Sequence, residues 1–385
     1  MQGNSCLGTE RKLRVCFLVR QLNMGGAQRQ LIELVRSLDQ RRFAAEIVTL
    51  YDGGEYWVDA AAVPGVRCAS LGKRGRWDLG AVLRFACEMR RSRPDVVQGC
   101  LGVCNLLALC VRAIAPSTRV VWSIRCSEPD FASGRWLSRL SFGIERIMSR
   151  LPDRIIANSQ AGRDFHVRRG YPSGKIAVIR NGIDSKRFRP DAEARKRMRG
   201  EWKVAPEERV VMIAGRIHPQ KGHSLFLRAA ALAAKRRPGL RFAVVGDGSA
   251  QFVTPAKRLA SSLGIDDRVI WAGAVLDMVA AYNAADIVTS CSSSEGFANA
   301  LCEAMACGIP CAATAVGDSR FIVGAAGVLI ESMTPESVAK AWLELLARCD
   351  GERDALAIQA RRRIESECAR DELARKTAQV FEEIL

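Results

Sequence analysis

The chain has 385 residues, of which 48% are hydrophobic and 26% charged, a balance that is ordinary for a soluble globular protein of two domains with separate cores. No apolar run approaches the roughly 20 residues that a membrane-spanning helix needs, and the polar first residues lack the hydrophobic segment of a signal peptide. The 58 Lys and Arg against 41 Asp and Glu give a net charge of +17, which directs attention to anionic partners.

The first half of the chain alternates short apolar runs with stretches of helical periodicity. The run 14–19 has strand length, a glycine-bearing loop follows it, and apolar residues then recur at helical spacing over 28–38. This alternation predicts a parallel sheet that helices cover on both faces. Further strands are predicted at 44–50, 95–97, 119–124, 154–157 and 175–179, and further helices at 78–91, 102–113 and 133–149.

Residues 181–205 break this rhythm, because they are charged and lack a continuous apolar face, and we interpret them as a linker with a short helix around 192–202. A second alternating series follows. The sequence therefore predicts an α/β protein of two doubly wound, Rossmann-like domains that face each other across a cleft, since ligands bind at the carboxyl edges of such sheets. The predicted bounds are 1–190 for the N-terminal domain, 191–365 for the C-terminal domain and 366–385 for a last helix. The strands predicted in the second series are 209–214, 240–245, 269–271, 286–290 and 309–312. The helices predicted there are 224–234, 255–263, 278–283, 297–306, 337–346 and 354–365.

Nearly all of the excess positive charge is in the first half. Residues 1–190 carry 32 Lys and Arg against 16 Asp and Glu, whereas residues 191–385 carry 26 against 25. This asymmetry indicates that the N-terminal domain contacts an anionic surface or an anionic acceptor, with general solubility as the alternative. Basic residues beside Trp77 and in the helix that follows Arg135 suit a membrane surface. We interpret the apolar residues of that helix, Leu137, Leu140, Ile144 and Ile147, as core and its arginines as contacts to lipid headgroups.

The stretch 292–310 carries the densest chemistry. A buried strand at 286–290 leads into a polar glycine turn, and an apolar helix follows. This order aims free backbone N–H groups and the positive end of the helix dipole at the edge of the sheet, where they favour an anion such as a diphosphate. Glu295 and Glu303 stand in this stretch with seven residues between them. Because carboxylates repel phosphate, we expect both to accept hydrogen bonds from sugar or ribose hydroxyls.

A basic loop follows the strand at 209–214. Gly215 and Gly222 allow close backbone approach there, and Arg216 and Lys221 place two cations just before a helix. A guanidinium and an ammonium in this position would hold a diphosphate and stabilise negative charge on a departing phosphate. Two solvated basic residues are the alternative interpretation, which the acidic motif downstream makes the weaker one.

Together these motifs resemble family 4 of the retaining glycosyltransferases, the large group 1 set with the GT-B fold. The resemblance implies that Arg216 and Lys221 bind the diphosphate of a nucleotide sugar, that Glu295 lies by the donor sugar and that Glu303 lies by the ribose. It also implies donor contacts from glycine loops and from backbone N–H groups after the acidic turn. These residues are Gly25, Gly26, Gly215, Gly246, Phe297, Ala298 and Asn299.

The chain departs from this family's pattern at one position. Many members carry a His after the fifth strand of the first domain, where this chain has Arg125. An arginine stays protonated and cannot act as a general base, so we place Arg125 among the catalytic residues as a group that binds a phosphate or a sugar carboxylate. A structural role at the strand end is the alternative.

No metal or other cofactor is expected. The chain contains no Asp-x-Asp pair, with which metal-dependent transferases hold the diphosphate, and Arg216 and Lys221 would take the metal's role. The 14 cysteines form no Cys-x-x-Cys pair, and only three histidines accompany them. Small buried hydrophobic residues in a reducing cytoplasm, rather than zinc ligands, are the expected use of these cysteines.

The resemblance implies a retaining, metal-independent hexosyl- or N-acetylhexosaminyltransferase. Its expected donor is a UDP-linked sugar, and its expected acceptor is a polyprenyl-diphosphate-linked or other membrane-associated glycan, as in exopolysaccharide or O-antigen synthesis. The expected location is the cytoplasmic face of the membrane. Nucleic-acid binding is not expected, because no aromatic stacking platform accompanies the basic residues. A sugar-nucleotide epimerase of similar fold and a non-catalytic nucleotide-binding subunit remain as alternatives.

Overall fold

The computed structural model describes residues 11–23, 25–75, 78–125 and 136–385. Trp77, Arg135 and the side chain of Leu137, which the sequence associates with a membrane surface, lie outside the described residues. Two parallel sheets organise the chain, so the predicted fold class is confirmed.

The first sheet has seven strands in the order β3-β2-β1-β4-β5-β6-β7, with every pair parallel. Its strands are β1 Leu13–Val19, β2 Phe43–Thr49, β3 Arg67–Ser70, β4 Val96–Cys100, β5 Arg119–Ile124, β6 Arg154–Ala157 and β7 Ile176–Val178. Its helices are α1 Gly26–Ser37, α2 Trp57–Ala61, α3 Gly80–Ser92, α4 Gly102–Leu109, α5 Val111–Ile114, α6 Trp136–Met148 and α7 Gln160–Arg168.

The second sheet has six strands in the order β10-β9-β8-β11-β12-β13, so the first four strands of each domain follow the same order. Its strands are β8 Arg209–Ala214, β9 Leu240–Val245, β10 Val269–Gly273, β11 Ile287–Ser290, β12 Cys311–Thr314 and β13 Val328–Ile330. The helices are α8 Ala192–Glu201, α9 His223–Arg236, α10 Ala250–Ser262, α11 Met278–Ala284, α12 Asn299–Ala306, α13 Ser319–Val323, α14 Pro335–Glu367 and α15 Arg370–Glu383.

The core of the second sheet supports the acidic motif directly. Trp342 of α14 is fully buried, and its indole N–H donates to Thr289 Oγ1 at 3.0 Å, at the end of β11. Thr314 Oγ1, at the end of β12, donates to the carbonyl of Ser292 at 2.7 Å. Because both bonds hold the chain just before Glu295, the packed interior fixes the path of the turn.

The last helix returns to the first domain. Phe381 of α15 is fully buried, and its ring centroid lies 6.2 Å from that of Phe17 and 6.4 Å from that of Phe43. Burial of such a ring removes a large apolar area from water. The first sheet therefore has a helix from the end of the chain as part of its own core.

Polar contacts also join the two domains beside the cleft. Asp318 accepts hydrogen bonds from the backbone N–H groups of Gln160 and Ala161, both at 3.0 Å, at the start of α7. Asn181 Nδ2 donates to Asn299 Oδ1 at 2.8 Å. These contacts set the two carboxyl edges against each other.

The outer face of α6 differs from our sequence interpretation. Leu140, Ile144 and Ile147 are 50%, 39% and 75% exposed, so the assignment of these residues to the core is wrong. Phe142 and Met148 pack on the core of the first sheet instead. The helix therefore has apolar residues on an exposed face as well as on the face that packs. Helical periodicity alone did not show which of the two contacts the core.

Candidate active site

A cavity of about 280 Å³ lies where the two sheets turn their carboxyl edges toward each other. The first domain contributes residues that follow β1, β5, β6 and β7, and the second contributes the loops after β8 and β11. Nine of the predicted site residues line this cavity: Gly26, Arg125, Gly215, Arg216, Lys221, Glu295, Phe297, Ala298 and Asn299.

Glycine at 222 brings the basic loop against the acidic turn. Its φ is +71°, and a Cβ at this position would lie 2.0 Å from the carbonyl oxygen of Cys291, so a side chain has no room. Gly246 packs behind the basic loop. A Cβ at this position would lie 2.2 Å from the carbonyl oxygen of Gly215, so a side chain has no room there either. Gly246 is not among the residues that line the cavity; it lies against Gly215, which does line it.

Lys221 and Glu295 meet inside the cavity. Lys221 Nζ lies 2.5 Å from Glu295 Oε1, and the hydroxyl of Ser292 donates to the same oxygen at 2.7 Å. Arg216 also lines the cavity and has no acidic partner within 4.0 Å among the residues that the structure describes. The basic loop therefore presents one cation that is shared with a carboxylate and one that is available to an anionic ligand.

The start of α12 faces the same space. Ala298 occupies the N-cap position, and no side chain caps the first turn of this helix. Uncapped N–H groups at a helix start carry partial positive charge and accept an anion as partner. Phe297 and Ala298 are buried where they line the cavity, so the backbone rather than an exposed side chain is presented there.

Glu303 lies deeper than the cavity lining. It is 2% exposed, forms an ion pair with Arg29 of the first domain and accepts a hydrogen bond from Tyr282 Oη at 2.8 Å. Burial raises the pKa of the Tyr282 hydroxyl, so this group remains a donor. A buried carboxylate needs partners, and Arg29 and Tyr282 supply them here. The ribose contact of Glu303 stays a prediction.

The glycine pair of the first domain reaches the cavity at one of its two residues. Gly26 begins α1 and lines the cavity, and a Cβ there would lie 3.0 Å from Asn299 Nδ2 of the second domain. Gly25 is the N-cap residue of α1 and lies just outside the lining. The first-domain loop therefore approaches α12 most closely at Gly26.

Arg125 lines the first-domain side of the cavity. Its Nε donates to Ser123 Oγ and its Nη1 donates to Asn181 Oδ1, each at 3.3 Å. Burial lowers the pKa of the Arg125 guanidinium below its ordinary value. Its two hydrogen-bond partners among the described residues are neutral, so they do not balance its charge.

Two polar residues of the first domain line the cavity and were not among the predicted site residues. Asn158 and Asn181 line the cavity from the loops after β6 and β7. Asn158 directly follows the predicted strand 154–157, and Asn181 comes shortly after the predicted strand 175–179. A polar residue in such a position, at the carboxyl edge of the sheet, is the signal that could have found them.

The described residues contain no group of three or more His, Cys, Asp or Glu side chains that could hold a metal ion. In the same part of the chain, no helix combines the length and apolar character needed to cross a bilayer.

Two facing doubly wound domains with a site between their carboxyl edges define the GT-B fold. HepE of Anabaena, solved with UDP-glucose, has a TM-score of 0.82 and 21% identity, covering 96% of this chain and 100% of that one. Sucrose-phosphate synthase of Thermosynechococcus elongatus has a TM-score of 0.81 and 19% identity, covering 96% and 99%. At these identities the likeness establishes the fold.

Family models identify the group. Residues 24–187 match the model described as Glycosyltransferase Family 4, and residues 208–348 match Glycosyl transferases group 1. The chain belongs to this glycosyltransferase family. The D-inositol 3-phosphate glycosyltransferase of Segniliparus rotundus is 36% identical over 203 residues, which are 51% of this chain and 44% of that protein. The chain thus matches less than half the length of this curated relative.

Proposed function

We propose that this protein transfers a sugar from a nucleoside-diphosphate sugar to an acceptor oxygen, with retention of the anomeric configuration. The proposed nucleotide of the donor is UDP. The observation that carries the proposal is the meeting of Lys221, Glu295 and the uncapped start of α12 in one cavity. Family membership supports the reaction class, and the likeness to HepE, which was solved with UDP-glucose, supports UDP.

The two cations and the helix start serve the diphosphate in this proposal. Arg216, Lys221 and the N–H groups of α12 surround an anion with positive charge that is fixed before the reaction. As the bond between the sugar C1 and the diphosphate oxygen breaks, its electron pair stays on that oxygen. These groups stabilise the new charge, and no step in the scheme requires a divalent metal.

The acceptor completes the exchange on the same face of the sugar. Its hydroxyl oxygen forms the new bond to C1, and its proton passes to the departing phosphate oxygen, so atoms and charge balance. This scheme uses the leaving phosphate as the base and therefore does not need a histidine where Arg125 stands.

Glu295 orients the donor sugar in this scheme. Its carboxylate is held by Lys221 and Ser292, which fixes it at the wall of the cavity. A carboxylate in this position accepts hydrogen bonds from sugar hydroxyls, and a hydrogen bond to a charged group contributes about 1.5–3 kcal/mol. Lys221 would then bridge the sugar-binding carboxylate and the diphosphate.

The acceptor side of the proposal rests on the first domain. Leu140, Ile144 and Ile147 form an exposed apolar ridge along α6, and Leu151 extends it. Beside the ridge lies a cavity of about 410 Å³ lined by Arg139, Phe142, Gly143, Arg146 and Arg169. Apolar side chains next to arginines suit the boundary between headgroups and acyl chains of an anionic membrane. We propose that the protein works at this surface on a lipid-linked glycan, in the cytoplasm.

The direct test is a donor screen with the purified protein in EDTA. Release of UDP or GDP is followed for a panel of nucleotide sugars, with and without bacterial lipid extract. We expect release from a UDP-sugar, with an increase when lipid is added. Release that requires manganese or magnesium would contradict the metal-free scheme, and release that is independent of lipid would place the acceptor among soluble molecules.

A further inference from the structure

Arg125 and Asn158 form a pair at the ends of neighbouring strands. Ile124 of β5 and Ala157 of β6 are register partners, and Arg125 and Asn158 are the residues that follow them. Both line the cavity between the domains. Gly296 packs against the same pair, since a Cβ at 296 would lie 2.9 Å from the carbonyl oxygen of Arg125 and 3.1 Å from Asn158 Oδ1. The pair therefore lies next to the turn that carries Glu295.

Among the described residues, Arg125 has no carboxylate partner, in contrast to three other arginines that are at least half-buried. Arg199 pairs with Asp286, Arg29 with Glu303 and Arg180 with Asp318. In the part of the chain that the structure describes, no carboxylate lies within 4.0 Å of the Arg125 guanidinium. A charge that has left water needs an opposite charge or strong hydrogen bonds, and two neutral acceptors at 3.3 Å supply little of either.

Asn158 provides an independent sign of a ligand. It is 6% exposed, and its Oδ1 atom is buried with no hydrogen-bond partner among the residues that the structure describes. Buried polar atoms are satisfied in the large majority of cases, so an orphan acceptor in a cavity wall indicates a donor that arrives with a ligand. A sugar hydroxyl is such a donor.

We propose that Arg125 and Asn158 form a subsite for an acidic sugar, whose carboxylate binds the Arg125 guanidinium while a hydroxyl donates to Asn158. A carboxylate carries one negative charge and matches one guanidinium, whereas a phosphate monoester would leave negative charge uncompensated in an enclosed site. Glu295 does not prevent this binding, because Lys221 already pairs with it. The inference rests on the proposed function and specifies its substrate class as a hexuronic acid.

The carboxylate could belong to the donor sugar or to the sugar that receives it, and binding measurements separate the two sources. In the donor arm, calorimetry compares UDP-glucuronate and UDP-galacturonate with UDP-glucose. In the acceptor arm, with UDP bound, NMR titration compares methyl glucuronide with methyl glucoside. We expect the acidic ligand to bind roughly ten- to hundredfold more tightly in one of the two arms, the range for a hydrogen bond to a charged group.

Three variants test the assignment. Arg125→Gln removes the charge and should abolish the preference for the acidic ligand. Asn158→Asp places a carboxylate beside Arg125 and should abolish it as well, although the arginine is retained. Arg119→Gln removes an arginine at the opposite end of β5, where it pairs with Asp153, and should keep the preference.

Equal binding of acidic and neutral sugars in both arms would overturn the subsite, as would a preference that survives in Arg125→Gln. The affinity for UDP alone reports on the proposed function instead. If the wild-type protein did not bind UDP, that function would be refuted. If it bound UDP but showed no preference for acidic sugars, only the subsite would be refuted.

Discussion

The two domains share the order of their first four strands but treat charge in opposite ways. Asp95 precedes β4 and accepts from the N–H of Arg14 in β1, and Asp286 precedes β11 and accepts from the N–H of Val210 in β8, each at 2.8 Å. Asp286 is buried among the four arginines Arg195, Arg199, Arg209 and Arg353. Asp95 pairs with Arg11, whose side chain is 68% exposed.

This difference in charge pairing indicates separate roles for the two domains. Residues 191–385 of the second domain are nearly neutral in net charge, and Asp286 is surrounded there by arginines of the same domain. The first domain carries the net positive charge of the chain, and at Arg125 it has a guanidinium without a carboxylate partner among the described residues. We interpret the second domain as the rigid holder of the donor, and the first as the domain that draws its counter-ions from the acceptor and the membrane.

Removal of one charge at the equivalent aspartates should separate the domains most clearly. Asp286→Asn leaves four arginines around a neutral amide and should lower the free energy of unfolding by about 3–5 kcal/mol, the usual cost of breaking a buried ion pair from one side. Asp95→Asn, the matched change, should cost about 1 kcal/mol or less, because its partner is exposed. Urea denaturation of both variants measures the difference, and equal losses would contradict the comparison.

The donor-binding loop should be sensitive in activity rather than in stability. Lys221→Ala and Glu295→Ala should each reduce transfer by about 10²–10³-fold or more, because each removes a fixed charge next to the reacting bond. Lys235→Ala, which removes an exposed lysine at the end of α9, is the control and should keep full turnover. Wild-type turnover in either site variant, with a circular dichroism spectrum like that of the wild type, would refute the site assignment.

Stability should respond to acid through the second domain. Burial of the His223 ring lowers its pKa to about 4, below the ordinary value of 6.5. Between these pH values the unfolded chain binds a proton that the folded one does not, so folding stability is complete above pH 6.5 and falls by about 3 kcal/mol toward pH 4. His223→Asn should flatten this fall in melting curves recorded from pH 7 to 4; an unchanged slope would contradict the assignment.

The first domain should show the opposite pH dependence. Burial raises the pKa of Glu145 to about 7, from an ordinary value of 4.5, and Ser141 Oγ, 3.5 Å away, is its hydrogen-bond donor. The folded state then favours the protonated acid, so stability from this group is present below pH 4.5 and is lost as the pH rises through 7. Glu145→Gln should remove about 3 kcal/mol of this loss between pH 5 and 8. A variant that loses stability as steeply as the wild type over this range would refute it.

Single substitutions in the proposed lipid-contacting surface of α6 should have the smallest effects, measured as binding to anionic vesicles. Arg146→Ala should weaken sedimentation with anionic vesicles about fivefold, since one cation near such a surface contributes about 1 kcal/mol. Ile147→Ser should weaken it further by removing an exposed apolar side chain, whereas Lys235→Ala should not change it. If Arg146→Ala and Ile147→Ser sedimented with the vesicles as much as the wild type and the Lys235→Ala control do, α6 would be excluded from the membrane contact.

The sequence predicted the features that depend on local order. The succession of strand, glycine turn and helix placed Glu295 at a sheet edge, and the same logic placed Lys221 there. The family resemblance placed Arg125 at the end of the fifth strand. All three line the cavity. Glycines at 215 and 222 were also expected for close approach, and both have positive φ.

Contacts between distant residues could not be predicted in this way. The pairing of Glu303 with Arg29 joins two domains, and no local pattern specifies it. The apolar ridge on α6 was misassigned because helical spacing identifies a stripe but not the surface that it meets. The helices predicted at 337–346 and 354–365 are both present within α14, and a kink with non-helical backbone at Glu352 separates them.

The most direct test of the division between the domains is calorimetric titration of UDP into the wild type, Lys221→Ala and Arg146→Ala. We predict measurable UDP binding by the wild type, a loss of about tenfold or more in Lys221→Ala, as expected when one charged contact to a phosphate is removed, and no change in Arg146→Ala. Absence of UDP binding in the wild type, or equal losses in both variants, would contradict a donor site built by the second domain.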